Sequence, residues 1–469
     1  MTRLRTIRSR GALAVIAALL VVPAAFAMHA FPDDETTDAS RDNVFVQSKQ
    51  NEPAVAIDPS NPMNVVAGAN DEIDLESCNV LTDNTCPFTP GVGLTGVSFS
   101  TNGGVTFQQP TYTGYSTRHC LGMPFLDTDD CTPNPSGPIG TLPWYFENGL
   151  VSDGDPIAAF GPRPGANGQF SWTNGSRLYF INLTSNFADT RDEATFKGVE
   201  AIAVSRTDNV PLAATGGTTG KAAWMNPVII SRRLSTVTFS DKEQIWADNA
   251  ASSPYFGNAY ACWVSFRSNG GAPEPVMFSR STDGGNTWSA PDQLSPAANT
   301  GLGQGRQGCT VRTGSDGVVY VFWEGAFQKK ENAPFFSSAQ LMARSFDGGD
   351  SFERPRAVVP VTDCGRFDPA QGRYTFDGVA GARTNSFPMV DIANGAPSGP
   401  GPNTIVMTFC DGLTSTTASN EQAPVWYSTD RGETWRQLTA NAAQAGDRPD
   451  FPAIAISPDG TDVYVAYDA

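Results

Sequence analysis

Histidine is nearly absent. Only His29 and His119 occur in 469 residues, so a multi-histidine zinc site has no ligands to draw on and histidine-dependent triads have almost no raw material. Charge is sparse as well, at 17% of residues, which together with abundant Gly and Pro excludes a coiled coil. Basic residues are outnumbered, 31 Lys and Arg against 48 Asp and Glu, for a net charge of −17. A surface of that sign repels a phosphate backbone, so no nucleic-acid partner is expected. No Gly-rich phosphate loop, dinucleotide fingerprint or haem-attachment motif is present, so no cofactor is expected. No Cys-x-x-Cys occurs, which argues against thiol redox chemistry.

What the chain does have is glycine and proline, 46 and 35 of them, favouring many turns over long helices. A hydrophobic content of 40% supports a real core and excludes wholesale disorder. The length suits one large β architecture or two to three ordinary domains. Residues 1–27 read as a secretory signal: Arg3, Arg5, Arg8 and Arg10 precede the apolar run Gly11–Val22, and Ala25-Phe26-Ala27 is a small-x-small cleavage site. That run is too short to span a bilayer comfortably, and no later run reaches spanning length, so secretion with no membrane span in the mature chain is expected. Eight cysteines fit an oxidising compartment. Cys78 with Cys86, and Cys120 with Cys131, form two close pairs across Gly/Pro/Asp-rich loops. Cys262, Cys309, Cys364 and Cys410 need tertiary contacts, and spacing leaves the connectivity open.

Repeats carry the fold. Ser281-Thr-Asp-Gly-Gly-Asn-Thr-Trp288 recurs as Ser345-Phe-Asp-Gly-Gly-Asp-Ser-Phe352, as Ser428-Thr-Asp-Arg-Gly-Glu-Thr-Trp435 and, more weakly, as Ser100-Thr-Asn-Gly-Gly-Val-Thr-Phe107. The Asp accepts backbone N–H groups across a tight turn, the Gly supplies a conformation other residues resist, and the aromatic ring anchors the turn. Six apolar strand pairs form a second repeat. They begin at Pro53, Pro156, Gln244, Cys309, Pro388 and Pro452, and each is followed by a short turn and another strand such as Val318–Trp323. Near-continuous apolar strands suit burial on both faces. Strand, turn, strand and edge hairpin, repeated, is the grammar of four-stranded propeller blades. Val204-Ser-Arg-Thr-Asp208 reads as a decayed octapeptide in the second unit.

The octapeptide resembles the Asp-box, or bacterial neuraminidase repeat, of the sialidase superfamily. The resemblance covers nearly all of the mature chain. It implies an all-β, six-bladed β-propeller over 46–469 with Asp-box turns, behind an N-terminal extension at 28–45. The sixth unit stops after its second strand, so the last blade is expected to be incomplete, with the chain either lacking its C-terminal end or closed by Asn43-Val44-Phe45-Val46. In the resembled fold, Asp-boxes lie between third and fourth strands. The opposite face carries residues leading into first strands and leaving second strands. Those leading in are Glu52, Asp155, Asp241 with Lys242, Arg306, Arg383 and Arg448. Those leaving are Asp71, Arg267, Glu324, Asp411 and Asp468.

Sialidases hold the sugar carboxylate with three arginines, so the resemblance makes Arg306, Arg383 and Arg448 candidate substrate clamps, with Glu52 and Asp71 beside them. Arginine's planar fork matches a carboxylate bidentately. Glu324 and Asp411 are candidate catalytic carboxyls, paired carboxyls being the usual minimum for glycoside hydrolysis, with Tyr374 and Tyr467 as candidate nucleophiles. The segment Asp127-Thr-Asp-Asp130 could offer a general acid or a calcium site. The Arg-Ile-Pro-type motif of true sialidases is missing; Asn51-Glu52-Pro53 stands in its place. The expected function is a secreted, sialidase-like glycoside hydrolase that is exo-acting on terminal, acidic sugars. The alternative is a non-catalytic propeller that binds carbohydrate or protein, and a scaffold role is a third reading. A glycan is the expected partner.

Overall fold

The computed structural model describes Thr36 and residues 50–76, 89–120, 132–187, 195–196, 198–231, 237–267, 273–297, 308–327, 337–368, 370, 373–376, 382–395, 401–412 and 421–468. Glu35–Ala469 forms one unit. The signal segment, the strand Asn43–Val46 and the acidic stretch Asp127–Asp130 lie outside the described residues.

The chain is an all-β propeller of antiparallel sheets met in sequence order. The first sheet pairs Gln50–Ile57, Val65–Asp71 and Thr95–Ser100, and Phe99 bridges to Gln108 in the place of a fourth strand. The second sheet uses Leu150–Pro164, Phe170–Asn186, Ala201–Thr207 and Trp224–Ile229. The third runs from Phe239–Ala247 through Ala259–Phe266 and Val276–Ser281 to Asp292–Gln293. The fourth holds Thr310–Thr313, Val319–Phe327, Ser337–Ser345 and Arg356–Pro360. The fifth has Met389–Ile392, Ile405–Thr408, Val425–Ser428 and Arg436–Thr439. A sixth unit is the hairpin Asp450–Ile456 with Val463–Asp468. All six strand pairs expected from the sequence are therefore present as first and second strands.

Successive side chains of a strand point to opposite faces, and here each face meets a different neighbouring sheet. In the fourth sheet, Val319, Val321 and Trp323 pack with Tyr260, Cys262 and Phe278 of the third. The intervening Tyr320 and Phe322 pack with Val390, Ile405 and Met407 of the fifth. This is why the second strands are apolar without alternation. Similar clusters join first to second, second to third and fifth to sixth units. Each fully buried side chain of this size contributes roughly 1.5–3 kcal/mol. Among the described residues no such cluster joins the sixth hairpin to the first sheet, and Val55, Ile57 and Tyr464 are exposed there.

All four octapeptides adopt one turn. Ser281 Oγ donates to Asp283 Oδ1 at 2.8 Å and accepts Gly285 N at 2.8 Å; Asp283 then accepts Asn286 N, Thr287 N and Thr287 Oγ1. Asp347 and Asp430 repeat the pattern, and Asn102 does so with its amide oxygen. The paired glycines Gly284 and Gly285 have φ of 76° and 83°, a region closed to most side chains. The aromatic residue packs onto the preceding sheet: Phe352 lies 4.7 Å from Phe278, and Trp435 6.1 Å from Phe322. The second sheet differs from expectation. Val204–Thr207 stays in strand, and two short helices, Val210–Ala213 and Gly217–Ala222, replace the turn. Asp208 instead takes both Arg177 Nε and Nη2, at 2.6 and 2.8 Å.

Two disulfides connect sheets. Cys262 in the third joins Cys309, which leads into the fourth, and Cys364, just past the fourth, joins Cys410 at the end of the fifth sheet's second strand. Cys120 is disulfide-bonded; Cys78, Cys86 and Cys131 lie outside the described residues. Among the described residues no helix is long and apolar enough to cross a membrane.

Candidate active site

The leading ends of the inner strands share a defect. In the first sheet the ladder jumps from Asn51↔Asn70 to Ala54↔Gly68, so Glu52 and Pro53 oppose a single partner residue. The same jump leaves Asp155 and Pro156, Lys242 and Glu243, and Phe451 and Pro452 as two-for-one bulges. The first bulged residue has positive φ every time: Glu52 53°, Asp155 51°, Lys242 52° and Phe451 43°. For non-glycine residues this costs of order 1–3 kcal/mol each. A bulge re-aims its side chain, and these four converge with Gly308, Asn385, Phe387 and Arg383 on one cavity of about 730 Å³.

Charge gathers on one side of that cavity. Lys242 Nζ lies 2.6 Å from Glu52 Oε2 and 3.0 Å from Asp155 Oδ2. Asn70 Nδ2 donates to Asp155 Oδ1 at 3.2 Å, and Arg383 Nη2 reaches Glu52 Oε1 at 3.1 Å. Glu52 and Asp155 also hydrogen-bond to each other. Burial, then this contact with Asp155, raises Glu52 to about 7 against the pull of Lys242. Burial works against charge on Asp155 too, but the bonds from Glu52, Lys242 and Asn70 outweigh it and hold Asp155 at about 2. Glu52 thus exchanges between its neutral and charged forms across neutral pH, while Asp155 stays ionised. Burial opposes the charge on Lys242, and Asp155, Glu52 and Asp241 overcome it, raising its pKa.

Further carboxyls back this pair. Burial pushes Asp241 and Asp153 up to about 6 and, with Asp153 beside it, Glu200 to about 10. Glu243, buried at 2% exposure, is raised well above the carboxylate range by the same cause. Among the described residues no group of three or more His, Cys, Asp or Glu side chains is arranged to hold a metal ion.

Of the residues given a catalytic or binding role from the sequence, Glu52, Arg383 and Tyr467 line the cavity, as does Asp468, grouped there only as leaving a second strand. Tyr467 turns its hydroxyl aside, donating to Asp447 at 2.7 Å and accepting Gln444 N. Asp71 is buried at the end of the first sheet's second strand, accepting from Gln50, Gln109 and the Ile73 backbone. Glu324 is buried in the fourth sheet opposite Gln340, away from the cavity lining. Asp411 accepts Thr362 N at 2.8 Å in a small ribbon with Gln422. Arg448 makes a bidentate pair with Glu421, both contacts 2.9 Å, and lies 4.5 Å over Phe376. Tyr374 sits in the ribbon Arg366–Asp368/Arg373–Thr375, and Arg306 lies outside the described residues. Glu324 and Asp411 are therefore not brought together at the cavity, and neither are Arg383 and Arg448. The sequence reading placed Asp155 and Lys242 at the right end of the strands without giving them a role, and it passed over Phe387 and Phe451. Except at Lys242, which Glu243 follows, their signal is a chemically distinctive residue just before a proline at the start of the strand, as in Glu52-Pro53, Asp155-Pro156, Phe387-Pro388 and Phe451-Pro452.

No protein-family model matches the sequence, and no curated protein matches it. Solved structures similar to the chain include alpha-L-arabinofuranosidases, an alpha-L-arabinanase and sialidases. One is the GH93 alpha-L-arabinofuranosidase of Fusarium graminearum with arabinobiose, at 12% identity and TM-score 0.44, covering 87% of this chain and 86% of that one. The alpha-L-arabinanase of Penicillium chrysogenum complexed with arabinobiose has 11% identity and TM-score 0.42, with coverages of 92% and 96%. Trypanosoma rangeli sialidase in complex with sialic acid has 12% identity and TM-score 0.43, and this chain spans 52% of its length. The propeller assignment itself rests on the sheet order and the interleaved cores.

Proposed function

We propose that the chain is a secreted, sialidase-like glycoside hydrolase whose working carboxyls are Glu52 and Asp155. The carrying observation is the geometry: Glu52 and Asp155 meet on Lys242 at the wall of a sugar-sized cavity, with burial raising Glu52 to about 7 while its partners hold Asp155 at about 2. Glycosidases need one carboxyl that gives a proton to the leaving oxygen and one that stays charged, as base or nucleophile. A sugar entering between the two would break their mutual hydrogen bond. Glu52 would then protonate the glycosidic oxygen, and Asp155, held by Lys242 and Asn70, would act on the anomeric centre or its attacking water. Phe387 and Phe451 offer apolar faces to the ring. The sixth hairpin serves as the inner half of a sixth blade, and the inter-sheet disulfides favour an extracellular setting.

The sugar is a neutral one on this reading. Lys242 and Arg383 are already engaged by Glu52 and Asp155, while Arg448 is taken by Glu421, so the described residues present no three-arginine clamp. An acidic sugar keeps one support, the half-exposed Arg383 guanidinium at the cavity wall. The test is turnover of 4-methylumbelliferyl alpha-L-arabinofuranoside, other neutral aryl glycosides and an aryl sialoside, by the wild type and by Glu52→Gln. Release from a neutral glycoside that collapses in Glu52→Gln supports the reading. Release from the sialoside alone, lost in Arg383→Ala, returns the acidic-sugar version. No release by a folded protein leaves the non-catalytic binding propeller.

A further inference from the structure

The trailing ends of the same inner strands frame a second cavity, of about 630 Å³, at the opposite mouth. It is lined by the turns that follow first strands, through Ser60, Asn249, Asn394 and Pro458, and by Trp172 and Thr173 at the start of the second sheet's second strand. None of its lining residues is charged, on a chain whose net charge is −17. We propose that this mouth is a non-catalytic binding site for a neutral oligosaccharide, separate from the Glu52–Asp155 cavity.

The second sheet has been lengthened to build it. Its first two strands have 15 and 17 residues, whereas the other inner strands have four to nine. After a register break at Pro162/Arg163 the ladder resumes with Arg163↔Ser171 and Pro164↔Phe170. This overhang carries Trp172 to the cavity rim. The indole is fixed there before any ligand arrives: Nε1 donates to Asn249 O at 3.3 Å, and the ring meets Phe256 edge-on at 6.0 Å. Gly257 lets Phe170 of the overhang sit against it, since a Cβ there would fall on the Phe170 ring. A platform already ordered loses little entropy on binding.

Facing it are two amides. Asn394 Nδ2 donates to Asn249 Oδ1 at 2.8 Å, tying the fifth sheet's turn to the third's. Asn394 Nδ2 also donates to Thr313 O at 3.5 Å, so the pair offers sugar hydroxyls the Asn249 amide N–H groups as donors and the Asn394 amide oxygen as acceptor. Ser60 and Thr173 add hydroxyls. Indole face, amides and hydroxyls without charge suit a polyhydroxylated ring with an apolar C–H face; they give no counter-charge to a phosphate, a carboxylate or an ammonium group.

The test is a titration of the full chain carrying Glu52→Gln, which suppresses turnover, with neutral gluco-, manno-, xylo- and arabino-hexaoses, read by tryptophan fluorescence and calorimetry. At least one series should bind with Kd of about 0.1–1 mM. Trp172→Ala and Asn394→Ala should each weaken it tenfold or more with an unchanged Tm, Trp172→Phe should retain part of it, and Phe451→Ala in the other cavity should leave it within twofold. Binding that survives Trp172→Ala, or is lost in Phe451→Ala, overturns the proposal. So does the absence of binding to all four series, or Trp172-dependent capture of peptides with no saccharide bound. The readout needs no catalysis, so failure of the hydrolase reading would leave this result standing.

Discussion

The six inner strands end in two unlike surfaces. At the leading ends of four of them the ladder is broken, a non-glycine residue sits in left-handed backbone, and carboxyls crowd around one lysine. At their trailing ends, on the side of the octapeptide turns, strained positions fall mainly to glycines such as Gly284, Gly285, Gly348 and Gly349, and the central mouth is uncharged. Both ends are built from the same repeated unit, so the repeat does not dictate the difference. Side chains placed in bulges do. Strain is kept where it aims a reactive group and avoided where the turn only has to hold.

The comparison breaks first at Glu52. Glu52→Gln should lower kcat/KM on a neutral aryl glycoside by about 10²–10⁴-fold, while Asn394→Ala at the opposite mouth should leave it within about twofold; equal losses would erase the distinction. The acid role also fixes a pH limb. Glu52 works protonated, so activity should fall as pH rises through about 7, and the loss should approach about tenfold per unit beyond that. A profile flat from pH 6 to 9 would remove Glu52 from the proton transfer.

Stability should follow pH in the same direction. Asp153, Asp241 and Asp248 are raised to about 6, 6 and 7, and Glu200 to about 10, all first by burial. An acid whose folded pKa lies above its unfolded value holds more protons when native, so its contribution is present at low pH and lost as pH climbs toward the folded value. Thermal unfolding should therefore occur at a higher temperature at pH 5 than at pH 8, and Glu200→Gln should shrink that gap. The octapeptide end should respond differently. Asp283→Ala removes the acceptor for two backbone N–H groups and two hydroxyls, costing about 1–2 kcal/mol as the loss of a helix cap does, with kcat/KM unchanged. The smallest effect belongs to Phe451→Gly. Relieving its positive φ should raise stability by up to about 1 kcal/mol while raising KM, because the exposed ring lines the cavity.

Much of the fold was legible because its signals are local. A strand buried on two faces is apolar at every position, as Val318–Trp323 is. A Ser-x-Asp-x-Gly turn closes on itself within five residues. The site is not local. Glu52 and Lys242 meet from different sheets, and no spacing announces it. Arg448 looks like a clamp until Glu421 is seen to occupy its fork. Glu324 lies at the strand end the resemblance pointed to, yet within a buried register opposite Gln340. The positive φ of Asp155 could be suspected only from Gly154 before it and Pro156 after it.

The disulfides have a mechanical consequence. Each closes a loop between adjacent sheets, spanning 47 and 46 residues. Pulled from its ends, the oxidised chain would release its second sheet and its final hairpin at full length. The third to fifth sheets would yield a shorter extension, with about 300 Å of contour withheld. A reductant added between successive pulls would return that length, so the blades between Cys262 and Cys410 form a spring whose travel is set by the redox state of its surroundings.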